Sequence, residues 1–414
     1  MNKINRRDFL TALGALSLPA WFPRLTFSST AAMSAAGSDI LVCIFLRGGA
    51  DAMNMVIPYG ESLYYDNRPT LAISEPGKKA TSAIEIDGFF GFHPIMAPLK
   101  ELFDEGVFAP VIATGSNDDT HSHFDAMEYM ESGVPGDKSV RTGWIGRHLN
   151  TKKTSNKSPF RAVSIGDLLP SSLRGPVPAT ALSSIADFHL QAFEVDAQRF
   201  QNTLKSFYGG DGWLDIEALQ TLDAVNKLAA VNPDDFEPEH GAHYPEESYF
   251  SMAMQEISKA IKADIGLEVA CTDLGDWDTH EGQGAAKGWM SDNLKDLADT
   301  LYAFYTDMGD RMKNITIVMM SEFGRRIDEN ASAGTDHGHG GSMFLLGGGI
   351  NGGQIYGEWP GMKDDQLYGP GDLAITTDFR TVLAELVKKR LRNKKIAKVF
   401  PRFATEPFLD ICKG

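Results

Sequence analysis

Cysteine is scarce in this chain: there are three among 414 residues, Cys43, Cys271 and Cys412. Their spacing fits no metal motif, and an odd number leaves at least one thiol unpaired. A disulfide-stapled scaffold is therefore excluded. Cys43 and Cys271 lie in apolar runs, so buried free thiols are expected. Positive charge is also short. The 39 Lys and Arg residues face 55 Asp and Glu, a formal net charge of −16. Nucleic-acid or anionic-membrane binding is thus excluded as the main role. An anionic substrate would need local positive charge from a metal or a few arginines. Beyond residue 36 no apolar run is long enough to span a bilayer. Gly347-Gly348-Gly349 and Gly352-Gly353 come with no P-loop lysine and no GxGxxG after a strand. They read as loop or hairpin glycines, not a phosphate cradle.

What is present begins with a targeting pattern. Asn5-Arg6-Arg7-Asp8-Phe9-Leu10 carries twin arginines, residues 10–22 are moderately apolar, and residues 28–36 are rich in Ser, Thr and Ala. Residues 1–36 are expected to be a twin-arginine signal peptide read by that export machinery. The expected destination is periplasmic or extracellular. The apolar stretch is too short to span and is interrupted by Pro19 and Pro23, so no stable membrane anchor is expected. This route moves folded proteins, which suits a chain that loads a cofactor before it crosses.

Residues 37–414 read as one α/β domain with a helical insertion around 190–265. Hydrophobic residues make up 43% and charged residues 23%, ample for a buried core. Residues 39–46 form a continuous apolar run, as do 107–114, 267–272 and 315–320. Such runs suit strands covered on both faces. Helical patterns at 93–105, 122–132, 249–265, 289–312 and 379–392 alternate with them. The expected fold is a three-layer α/β/α sandwich with a mainly parallel central sheet. Polar motifs follow the strands: Asp51, Ser122, Asp276 and Glu322. Parallel sheets bind ligands at the carboxyl ends of their strands, so these positions can meet at one edge.

Two Asp/His clusters dominate the C-terminal half: Asp276-Trp277-Asp278-Thr279-His280 and Thr335-Asp336-His337-Gly338-His339-Gly340. Carboxylates and imidazoles at this density suit a divalent ion. On a helical turn Asp276 and His280 would point the same way as ligands, with Asp278 as an acceptor for the imidazole. Of His337 and His339, one is expected to bind metal and the other substrate. Asp51, after Gly48-Gly49, is a further carboxylate candidate, or else caps the segment that follows. Ser122 and Thr120 are candidate nucleophiles at a helix N-terminus, where dipole and free N–H groups favour an anion; the alternative is a simple cap. Glu322 is a candidate ligand. Arg47 and Arg325 are candidates to clamp the oxygens of an anionic ester.

Phe45-Leu-Arg-Gly-Gly-Ala-Asp51 with Asn54, Ser122-His-Phe-Asp-Ala126, Asp278-Thr-His280, Ser321-Glu-Phe-Gly-Arg325 and Thr335-Asp-His-Gly-His339-Gly occur in this order. Together they resemble an exported bacterial family catalogued as domain of unknown function 1501, which looks like a branch of the alkaline phosphatase and sulfatase superfamily. The resemblance runs from about Asp39 to the C-terminus. It implies a metal-dependent hydrolase of phosphate or sulfate esters acting on a small anionic ester or a glycan. The divalent ions would be zinc, manganese, magnesium or calcium. It implies Asp51, Asp276, His280, Glu322 and His337 or His339 as metal ligands, with Ser122, or alternatively Thr120, as nucleophile. The superfamily's adjacent Asp-His pair stands here as Glu322-Phe323, which loses an imidazole. His121, His123 or His339 is the candidate replacement; otherwise the scaffold serves a non-catalytic exported binding protein. No Cys-x-Pro-Ser-Arg is present, which argues against a formylglycine sulfatase.

Overall fold

The first strand, β1 (Ile40–Leu46), is buried at every position after Ile40, as its unbroken apolar sequence requires. Its side chains alternate between two cores. Val42, Ile44 and Leu46 enter one, while Leu41, Cys43 and Phe45 enter the other. This computed structural model describes residues 39–156, 158–166, 168–184, 202–208, 218–219, 222, 237–404 and 407–414. The expected signal lies outside the described residues, as do about half of the residues of the expected insertion at 190–265.

The strands that matter for the site are β2 (Phe108–Gly115), β3 (Ala162–Ile165), β4 (Thr180–Leu182), β5 (Val269–Leu274), β6 (Ile315–Ser321), β7 (Arg325–Glu329), β8 (Thr335–His337), β9 (Gly341–Leu346) and β10 (Thr377–Asp378). Eight strands form the central sheet in the order β10-β2-β9-β6-β1-β5-β3-β4. All its pairings are parallel except those of β9, which runs against both β2 and β6. β7 and β8 form a separate antiparallel hairpin above the sheet's edge.

Helices cover both faces. α1 (Ala97–Asp104), α4 (Tyr249–Lys262) and α5 (Trp289–Met308) close one core with Leu102, Ile257 and Leu301. α2 (His123–Ser132), α3 (Trp144–Thr151) and α6 (Phe379–Lys389) close the other with Met130, Trp144 and Leu386. The fold is thus a three-layer α/β/α sandwich around a mainly parallel sheet. All three cysteines are buried and unpaired, and Cys43 and Cys271 are register partners on β1 and β5. No helix among the described residues is long and apolar enough to cross a membrane.

Candidate metal centre

The carboxyl ends of β1, β5 and β6 lie side by side because those strands are parallel neighbours. The segments that leave them pack closely. Gly48, just past β1, has φ of +120°, and a Cβ there would lie 2.5 Å from the Asp278 backbone nitrogen. Only glycine allows that approach. The β7–β8 hairpin folds back over the same edge. A Cβ on Gly338 would meet the Arg325 carbonyl carbon at 2.4 Å.

Arg325, 1% exposed, binds these segments together. Its guanidinium donates to the carbonyls of Gly48, Gly49, Trp277 and Thr335 and, at 2.6 Å, to Asp278 Oδ1. Residues 275–279 form neither helix nor strand, and Trp277 and Thr279 are buried while Asp278 and His280 face outward. Asp278 and His280 therefore share one side at a spacing of two.

Three imidazoles converge on the Asp278 carboxylate. His123 Nε2 lies 3.3 Å from Oδ2, and the Nε2 atoms of His280 and His337 each lie 3.2 Å from Oδ1. His280 Nε2 and His337 Nε2 are 2.9 Å apart. Each Nδ1 faces an acceptor. His123 Nδ1 is 2.8 Å from Glu322 Oε1, His280 Nδ1 is 3.1 Å from Asp336 Oδ1, and His337 Nδ1 is 2.9 Å from the His121 carbonyl. An acceptor that carries no proton draws a ring proton to Nδ1, and in the neutral ring the Nε2 atom then offers its lone pair. His123 Nε2 is buried without a hydrogen-bond partner. Nitrogens so close to a carboxylate and to one another need a proton or a metal cation between them. Ligand atoms about 3.4 Å apart are what a tetrahedral ion with bonds near 2.1 Å needs. The Nδ1 acceptors are the outer partners that orient metal-binding histidines. His123, Asp278 and His337 thus form a group that could hold a metal ion, and His280 lies beside it, 3.2 Å from Asp278.

Charge is distributed to suit a cation. Burial pushes the Asp278 carboxyl upward, but the Arg325 guanidinium and the adjacent His337 ring hold it at about 2. Burial opposes ionisation of Glu322 as well, yet His123 and the Gly48 and Gly49 amides keep its carboxyl below the usual range. The hydrogen bond to Glu322 raises His123. Burial lowers His337 against the pull of Asp278. Asparagine 330 and then His280 lower Asp336.

The other expected site residues fall as follows. Glu322 is buried beneath His123 and accepts from the Gly48 amide at 2.8 Å, so it supports the cluster from behind. Asp276 is exposed with φ of +64° and lines a separate groove with Asp273, Asp292 and Asp296. It does not join His280, because the segment is not helical and Asp276 itself adopts left-handed backbone. Asp51 is 1% exposed and forks onto Arg68 at 2.5 and 3.0 Å, which leaves it outside the cluster. His339 is buried and stacks on Tyr368 with ring centroids 4.3 Å apart. Arg47 is occupied by Glu131 at 2.8 Å and Asp273 at 2.7 Å. Ser122 is the N-cap of α2, makes no side-chain cap bond and is exposed between His121 and His123. The Thr120 hydroxyl accepts from the Ser122 amide at 3.2 Å. His123 was legible only as one of three substitutes for a missing imidazole, and Asp278 only as a supporting acceptor. Alternation of buried Trp277 and Thr279 with polar neighbours was the signal for the latter.

A family model described as "Protein of unknown function (DUF1501)" matches residues 38–393. No curated protein matches the chain. Among solved structures, the PsFucS1 sulfatase from Pseudoalteromonas sp. is 12% identical, with a TM-score of 0.37 over 90% of this chain and 70% of that one. The lipoteichoic acid synthase LtaP from Listeria monocytogenes is 10% identical, with a TM-score of 0.35 over 88% and 74%. Alkaline phosphatase from the Antarctic bacterium TAB5 is 10% identical, with a TM-score of 0.31 over 88% and 98%.

Proposed function

We propose that this chain, which belongs to the DUF1501 family, is an exported metal-dependent hydrolase of phosphate or sulfate esters. The observation that carries the reading is the convergence of three Nε2 atoms on Asp278, each imidazole held by an acceptor at its Nδ1. His123, Asp278, His280 and His337 would hold one divalent ion. A nitrogen-rich donor set favours zinc or a similar transition ion over calcium or magnesium, which prefer all-oxygen shells. Such an ion supplies positive charge to polarise an ester oxygen and to acidify a nearby hydroxyl.

Ser122 is the nucleophile in this reading. Its hydroxyl is free of a capping bond and stands at the N-terminus of α2, next in sequence to the site histidine His123. Attack by Ser122 Oγ on phosphorus or sulfur would form a new ester to the enzyme as the bond to the departing alcohol breaks; the alcohol leaves with a proton. Water then cleaves the enzyme ester and returns the hydroxyl. The substrate in this reading is a small anionic ester or a glycan bearing one.

The test is turnover of aryl phosphates and aryl sulfates by purified protein with zinc, manganese, magnesium or calcium. Metal-dependent hydrolysis that Asp278→Ala abolishes and Asp276→Ala retains supports the reading. Absence of metal-dependent turnover on every ester would sink it. One observation favours a second reading, a non-catalytic exported binding protein. Arg47 and Arg325, the expected oxygen clamps, are already occupied by protein acceptors. An ion bound at wild-type affinity without any turnover would select that alternative.

A further inference from the structure

We propose that Gln283 is a positioning residue for the metal centre, joining the two loops that carry its ligands to a buried anchor formed by Asp51 and Arg68. The inference rests on the metal reading above and assigns a role to the Asp51 motif, which that reading leaves unused.

Gln283 is wholly buried, as are Thr279 and Thr335. Its Oε1 accepts from the Thr279 hydroxyl at 2.8 Å and from the Thr335 hydroxyl at 2.7 Å. Thr279 sits between Asp278 and His280. Thr335 opens β8, two residues before His337. One amide oxygen therefore holds the backbone beneath every site ligand except His123. The same loops meet directly where the Thr335 amide donates to the Thr279 carbonyl at 3.0 Å.

The other end of the amide is fixed as well. Gln283 Nε2 donates to Asp51 Oδ2 at 2.7 Å. Asp51 is locked by Arg68, whose remaining N–H groups donate to Asn54 Oδ1 and to the carbonyls of Arg326 and Ile327 at 2.9 Å. These last contacts reach the outer strand of the hairpin, β7. The network thus connects the end of β1, the 276–280 loop and both hairpin strands. Every polar atom of the Gln283 side chain is used, which fixes its amide orientation. Ligands held by such outer contacts lose affinity by about 10- to 100-fold when the contact is removed.

The experiment measures zinc affinity of the full chain by competition with a chromophoric chelator, and the thermal midpoint of the zinc-free protein. Gln283→Leu is expected to weaken zinc by at least about 10-fold. Thr335→Val and Thr279→Val, which keep shape and lose the hydroxyl, are each expected to weaken it several-fold, while Thr335→Ser and Thr279→Ser retain wild-type affinity. Thr335→Val added to Gln283→Leu is expected to cost nothing further, because the shared acceptor is already gone. A purely structural role would lower the midpoint of the zinc-free protein while zinc affinity stayed unchanged. Wild-type zinc affinity in Gln283→Leu, or equal losses from the Val and Ser variants, would overturn the proposal and leave the metal reading intact. Where Gln283→Leu fails to fold, the Val and Ser pairs decide. A wild-type protein that takes up no zinc overturns both.

Discussion

At the scale of single residues, the decisive distinction is between Asp276 and Asp278. Both are exposed aspartates in one short segment, yet only Asp278 meets three imidazoles. Asp278→Ala is expected to reduce affinity for zinc by at least about 100-fold, and Asp276→Ala by less than about 2-fold, when both are titrated calorimetrically. The sequence showed the density of carboxylates and imidazoles but not their pairing. Spacing alone does not say whether a glycine-flanked segment turns as a helix, which aligns positions four apart, or extends, which aligns positions two apart. A second residue gives a clean pH effect away from the site. His148 on α3 is buried, and burial with Lys152 and Arg161 nearby pushes its pKa from 6.5 down to about 3. The unfolded chain therefore takes up a proton near pH 6.5 that the folded chain refuses until about pH 3. Stability contributed by the neutral ring is complete above pH 6.5 and falls as pH drops through that window, by up to about 1.4 kcal/mol per unit. Denaturant titrations at several pH values should show a shallower acid loss in His148→Gln than in wild type; identical slopes would contradict this assignment.

At the scale of elements, the strands were legible and the hairpin was not. β1, β2, β5 and β6 announce themselves as continuous apolar runs, because both faces of the sheet are covered. β7 is Arg-Arg-Ile-Asp-Glu and reads as a surface turn, yet Arg325 within it is buried. Its partners are backbone carbonyls and a carboxylate contributed from far along the chain, which local patterning does not report. Arg68 and Gln283 escaped notice for the same reason. Two substitutions probe these elements. Arg68→Met leaves the Asp51 carboxylate buried without its ion pair and is expected to cost about 3–5 kcal/mol by chemical denaturation. Gly338→Ala forces a Cβ into the Arg325 backbone and should displace the hairpin, seen as weaker metal binding together with a lowered thermal midpoint.

At the scale of the whole molecule, the layered scaffold brings distant segments to one edge, and an ion held there would fasten them. Binding to the folded state alone stabilises it by about 2.7 kcal/mol when free zinc is at 100 times its Kd. Zinc-loaded protein should therefore melt several degrees above the chelator-treated protein, with little difference between the two in Asp278→Ala. The N-terminal reading is separate and has its own test. Arg6→Lys with Arg7→Lys should hold the protein inside cells that carry twin-arginine machinery, whereas wild type reaches the periplasm or medium; unchanged export would contradict the targeting assignment.

The central claim is that His123, Asp278, His280 and His337 make one cation site. Elemental analysis of protein recovered from cells and dialysed against metal-free buffer addresses it most directly. Wild type should hold about one divalent ion per chain and Asp278→Ala and His337→Ala almost none, with both variants folded. Wild-type protein that retains no ion, even after incubation with zinc, or variants that retain it in full, would contradict the account.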